Sequence, residues 1–144
     1  MFAYRDTSIP KERHDAVNHA LKDMATGSLS ERIRGEEYLT AIGPAMNGKV
    51  TRYVAQLLSS GSSEVRDSAT RVIISTGGME AIPFLVDFLG SPNVMIRHDA
   101  IAKLIAITGE TFGYEYDGSE DGRKAAQEAW RTWYTDAVKT TSVK

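Results

Sequence analysis

Cysteine is absent from the 144 residues, which excludes disulfide frameworks, thiolate nucleophiles and thiolate metal sites. No large excess of one charge is present: 17 basic residues face 19 acidic ones, for a net charge of -2. That balance gives no global field to draw nucleic acid or an acidic membrane surface, so such binding would need a local patch. No apolar run approaches the roughly 20 residues of a spanning helix, and the opening Met1-Phe2-Ala3-Tyr4-Arg5-Asp6 lacks the apolar stretch of a leader. A cytoplasmic protein is the expectation. Strict apolar alternation of the strand type is almost missing as well. What is present is 42% apolar content, enough for one well-buried core, with apolar residues spaced three and four apart.

That spacing predicts seven helices. The first follows Ser8 and Pro10, carries Val17, Ala20, Leu21 and Met24, and stops at Gly27. The second opens near Ser30 and runs through Ile33, Leu39 and Ile42 to Gly43-Pro44. The third spans about 48–60, with Val50, Val54, Leu57 and Leu58. The fourth starts at Ser62-Ser63 and holds Val65, Ala69, Val72, Ile73 and Ile74 up to Gly77-Gly78. The fifth holds Ile82, Leu85, Val86 and Leu89, and the sixth runs from Ser91-Pro92 through Ile96, Ala100, Ile101, Leu104 and Ile105 to Gly109. After a loop rich in glycine and acid, a seventh runs from about Ser119 to Val138.

A shift of 31 residues maps Val65-Arg66 onto Ile96-Arg97, Ala69 onto Ala100, Ile73-Ile74 onto Leu104-Ile105, and Leu57-Leu58 onto Phe88-Leu89. A weaker copy, displaced by about one residue, places Ile33-Arg34 before Val65-Arg66. The unit is a pair of antiparallel helices that cannot bury its apolar face alone, so neighbours are expected to stack with caps at both ends. An apolar residue followed by Arg, alanine one turn later, and the run Gly78-Met79-Glu80-Ala81-Ile82-Pro83-Phe84-Leu85 resemble HEAT repeats over residues 30 to 138. Thr108-Gly109-Glu110-Thr111-Phe112-Gly113-Tyr114, followed by Arg123, Ala126, Trp130 and Trp133, is similar to the closing segment of small bacterial HEAT-like proteins; Tyr116 and Gly118-Ser119 depart from it. The resemblance implies an all-α solenoid of helix pairs ended by an aromatic cap, in one domain over 1–144. An N-terminal arm and capping helix would occupy 1–29, repeats 30–109, and an acidic loop, capping helix and tail 110–144. It implies no activity.

No catalytic constellation is legible. His14 and His19 are five apart, and His98 sits between Arg97 and Asp99, so none offers a ligand or base spacing. The His-Glu pairs of HEAT-like di-iron enzymes and the glycine-rich phosphate loops are missing too. Asp117, Ser119, Asp121 and Glu128, with Gly122 at the sixth position, satisfy a calcium-loop spacing. The plainer reading is preferred: Ser119, Glu120 and Asp121 cap the last helix, and no metal or other cofactor is expected. Arg34, Arg66 and Arg97 recur at equivalent places and are read as bridges between repeats, with Asp67 and Asp99 nearby.

The function expected is a non-catalytic protein-protein interaction module, a scaffold or assembly subunit of a larger complex. The second helix of each pair lines the concave side of such stacks. That places Lys49, Arg52, Tyr53 and Gln56 on one ridge helix and Glu80, Phe84 and Asp87 on the next, with Tyr53 and Phe84 equivalent under the shift. An aromatic pair on a polar ridge suits a hot spot; burial of both rings in the core is the competing reading. Phe2 and Tyr4 offer a second route, in which the N-terminal arm either covers the first repeat or docks into another subunit, as in a homo-oligomer. Two alternatives remain: a nucleic-acid binder resembling HEAT-like DNA glycosylases, and an accessory resembling HEAT-like bilin lyases.

Overall fold

Apart from the third, the helices form close to where the periodicity places them, and their ends show why. In the computed structural model, which describes residues 10–46 and 49–142, α1 (Lys11–Thr26) follows Pro10 and ends at Gly27. Ser8, Phe2 and Tyr4 lie outside the described residues. The second helix, α2 (Leu29–Ile42), starts at Ser28 rather than Ser30. Ser28 Oγ accepts from the Glu31 backbone N–H while Glu31 returns a carboxylate to the Ser28 N–H, a reciprocal capping box. This bond holds the Glu31 carboxyl below its ordinary value of 4.5, the backbone contribution of Ser28 being the largest cause. A lowered folded pKa means the cap's stabilisation is complete above 4.5 and is lost as pH falls through the folded value. Glu31→Gln is therefore expected to flatten the acid limb of a thermal-melt series, leaving neutral-pH behaviour nearly unchanged.

The chain then departs from a continuous third helix. A 3₁₀ turn covers Gly43–Met46, α3 spans only Thr51–Val54, and a second 3₁₀ segment covers Ala55–Ser59. The β-branched residues Val50, Thr51 and Val54 weaken helix propensity here, and a short segment closing into a tight turn favours the tighter winding. Next come α4 (Ser63–Thr76), a 3₁₀ turn over Met79–Ala81, α5 (Ile82–Phe88), α6 (Val94–Thr108) and α7 (Glu120–Ser142). The described residues form seven helices and no strand.

The contacts divide the chain into two compact units, Met1–Glu80 and Ala81–Lys144. In the first, α1 and α2 pair as a hairpin and α4 packs against both. Its core holds Val17, Leu21, Met24, Leu39, Val54, Leu57, Ala69, Val72 and Ile73, all essentially inaccessible. Arg71 of α4 grips Glu36 of α2 with two bonds, Nε–Oε1 at 2.6 Å and Nη2–Oε2 at 3.0 Å, the bidentate geometry that fixes register. Ile33, expected in the core, is 45% exposed, as is Leu29 at 64%. The α1–α2 approach is set by Gly35: a Cβ there would stand 2.6 Å from the Ala20 carbonyl oxygen. Helix propensity alone favours Gly35→Ala by about 1 kcal/mol. The clash reverses the sign, and a net loss of about 1 kcal/mol is expected in urea denaturation, overpacking outweighing propensity.

In the second unit α5 packs against α6 and α7, around Ile82, Leu85, Leu89, Leu104 and Trp130. The aromatic segment forms a cluster. Phe112 and Trp133 flank Trp130, with centroids 4.8 and 5.6 Å from it and near-perpendicular planes. Trp130 Nε1 donates to the Thr111 carbonyl at 3.2 Å, and the Tyr114 hydroxyl to the Leu89 carbonyl at 2.7 Å. The last helix packs mainly on the fifth in this unit.

The 31-residue recurrence is written in bonds as well as in side chains. Arg66 Nη1 donates to the Ser60 carbonyl at 2.7 Å, and Arg97 Nη1 to the Ser91 carbonyl at 2.9 Å. The Ser62 N–H donates to Ser60 Oγ at 3.1 Å, and the Asn93 N–H to Ser91 Oγ at 3.1 Å. Ser62 caps α4 through the Val65 N–H, and Asn93 caps α6 through the Ile96 N–H. Each pair is separated by the same offset. The arginines therefore do not pair with Asp67 and Asp99 as expected. Their guanidiniums instead hold the turn that leads into their own helix, while Asp99 Oδ1 lies 3.0 Å from His98 Nδ1.

Candidate functional site

The expected ridge residues of the first unit share a short stretch. Arg52 and Gln56 are exposed on α3 and the 3₁₀ segment after it, and Lys49 is exposed in the turn just before α3, the three spaced three and four apart. Tyr53 is half-buried, its ring 5.4 Å from the Arg52 guanidinium carbon. The arrangement joins a cationic rim to a partly accessible aromatic body, with Thr51 and Val54 buried beneath as its anchors. Glu80 is turned to another task. Its Oε1 accepts from the Gly78 N–H at 2.7 Å and lies 3.5 Å from the Thr51 hydroxyl, which ties the segment after α4 to the start of α3.

In the second unit, Phe84 is half-buried and Asp87 is exposed on α5. Asp87 faces the last helix: Arg131 Nη2 bonds it at 3.1 Å while Nη1 holds Glu128 at 2.9 Å, keeping the guanidinium protonated beyond its ordinary range. Gln127, buried, donates to the Val86 carbonyl at 2.9 Å. Part of the α5 side expected to be open thus carries α7, and a groove of only about 200 Å³ remains beside it, bounded by Pro83, Asp87, Arg131 and Tyr134. Sequence reasoning missed Gln127 and Arg131. The available signal was their i, i+4 spacing on a helix whose named residues were Arg123, Ala126, Trp130 and Trp133.

The loop before α7 has its own geometry. Helix begins at Glu120, and Ser119 Oγ accepts from the Gly122 N–H at 3.1 Å as its cap. Asp121 and Glu128 therefore lie on one helix, separated by about 10 Å along its axis at 1.5 Å per residue. A calcium loop instead wraps its first and twelfth positions around a single ion. Among the described residues, no group of three His, Cys, Asp or Glu side chains converges. His19 lies 3.3 Å from Asp23 on α1, and His98 stacks edge-on against Tyr116 at 4.8 Å.

No protein-family model matches the chain, and no curated protein and no solved structure does so either. No described helix is long and apolar enough to cross a membrane.

Proposed function

We propose that this chain is a small HEAT-like interaction module whose working surface is the α3 ridge, and that it serves as a scaffold or assembly subunit for a protein partner. The reading is carried by the recurrence of identical turn bonds at a 31-residue offset, because repeated helix pairs expose ridges of this kind to partners. Lys49, Arg52 and Gln56 supply a polar, exposed rim, and Tyr53 beside Arg52 supplies the aromatic and guanidinium pairing enriched at hot spots. Asp87 and Glu80 belong to the fold on this account, since both are engaged within their own units.

The test is affinity purification of the tagged chain from its native cells beside an Arg52→Glu/Gln56→Arg variant, both positions being exposed. A stoichiometric co-purifying protein, lost in the variant, is the expected outcome. Recovery of a lone monomer with either chain rejects the proposal.

A further inference from the structure

The α5–α6 turn and the first two turns of α7 enclose a cleft of about 400 Å³ within the C-terminal unit. Its wall carries Arg97, Arg123 and Lys124 against a single carboxylate, Glu120. That carboxylate is committed to Lys124, 3.2 Å away, so the two guanidiniums stand uncompensated in a chain whose overall charge is negative. Arg97 is pre-oriented: Nε donates to the Tyr116 carbonyl at 2.8 Å and Nη1 to the Ser91 carbonyl, neither bond using Nη2. Arg123 differs from Arg71 and Arg131, which bridge helices through carboxylates. Arg71 holds Glu36, and Arg131 holds Asp87 and Glu128. Among the described residues no carboxylate bonds Arg123, and its Nε is buried without an acceptor. The remaining wall is in part apolar, from Leu89 and Pro92.

We infer that this cleft binds a phosphate monoester, with the phosphate seated between the Arg97 and Arg123 guanidiniums and Lys124 at the rim. A monoester carries about -1.5 to -2 charges at neutral pH, which matches two guanidiniums without a carboxylate partner, where a single carboxylate would neutralise only one. Guanidinium forks suit the tetrahedral oxygens. A volume of 400 Å³ exceeds what a bare oxyanion fills and lies within the range of about 300–1,000 Å³ typical of small-ligand sites, so the cleft also receives the organic group, against Leu89 and Pro92. The site stands apart from the α3 ridge, and either assignment can fail alone.

Isothermal titration of phenyl phosphate into the full chain tests it. Saturable one-to-one binding is expected, weakened roughly tenfold or more in Arg123→Gln and unchanged in Arg131→Gln, which removes a guanidinium already paired outside the cleft. Circular dichroism establishes that each variant is folded; should Arg123→Gln not be, Lys124→Gln, at a position 69% exposed, is expected to weaken binding several-fold. Titration of a capped phosphoserine peptide separates the sources: tighter binding than phenyl phosphate assigns the phosphate to a modified protein, weaker binding to a small metabolite, and both support the chemistry. Three results would overturn it: no saturable binding of either monoester, equal binding by the folded Arg123→Gln chain, or benzoate binding as well as phenyl phosphate.

Discussion

Trp130→Ala is expected to destabilise the protein by about 3–5 kcal/mol, the range for removing a large buried aromatic, with a fall in melting temperature on the order of 10 °C. Three things fail together when the indole goes. It is wholly inaccessible, so its volume becomes a cavity. The Thr111 carbonyl loses its donor, and Phe112 loses its edge-to-face partner. Phe112 also adopts φ 50°, a left-handed backbone that costs a non-glycine residue about 1–2 kcal/mol and is held in place by that packing. Trp133→Ala, at a half-buried site in the same cluster, is expected to cost about 1–2 kcal/mol. Thermal and urea denaturation of both variants measure the contrast; equal losses would show that the cluster is not organised around Trp130.

Arg97→Ala is expected to cost about 2–3 kcal/mol, against about 1 kcal/mol for Arg66→Ala, although the two arginines are repeat equivalents. Both latch the preceding serine carbonyl six residues back. Only Arg97 makes a second charge-assisted bond, to Tyr116, which ties the loop before α7 to α6. Its half-buried setting also leaves those carbonyls with less water to replace it. Urea denaturation reads the difference directly. Arg97→Lys is expected to recover only part of the loss, because an ammonium cannot span the two carbonyls as the planar fork does. Equal effects of the two alanine variants would contradict the bonding described.

The regular parts of this architecture were legible because periodicity and stop signals agree. Val17, Ala20, Leu21 and Met24 fall on one stripe and are buried, and Gly27, Gly77 and Gly109 end helices where the pattern stops. The reading was least secure where tertiary packing decides. The apolar pattern of Val50 to Ser60 does not distinguish a continuous helix from a short one running into a 3₁₀ segment, since both present Val54 and Leu57 inward, and the weakened propensity of its β-branched residues decides only with the tight turn that follows. Ile33 fits a helical stripe yet stays exposed, because Gly35, two residues on and so on the opposite side of α2, lies on the face brought against α1. Among the site residues, the exposure of Lys49, Arg52 and Gln56 followed from the pattern. The engagement of Asp87 by Arg131 joins positions 44 residues apart and no local signal announces it. The same holds for the cationic cleft, whose residues come from the α5–α6 turn, α6 and α7.

The central claim is that the hairpins are successive copies of one unit. Inserting a second copy of residues 60–90 in tandem tests this most directly, since it adds one full 31-residue period with its turn, cap and arginine latch. A repeat architecture accommodates the extra unit, so the longer chain is expected to keep its helix content per residue and to unfold cooperatively at an equal or higher temperature. A chain that loses helix content, or melts without cooperativity, would contradict the account.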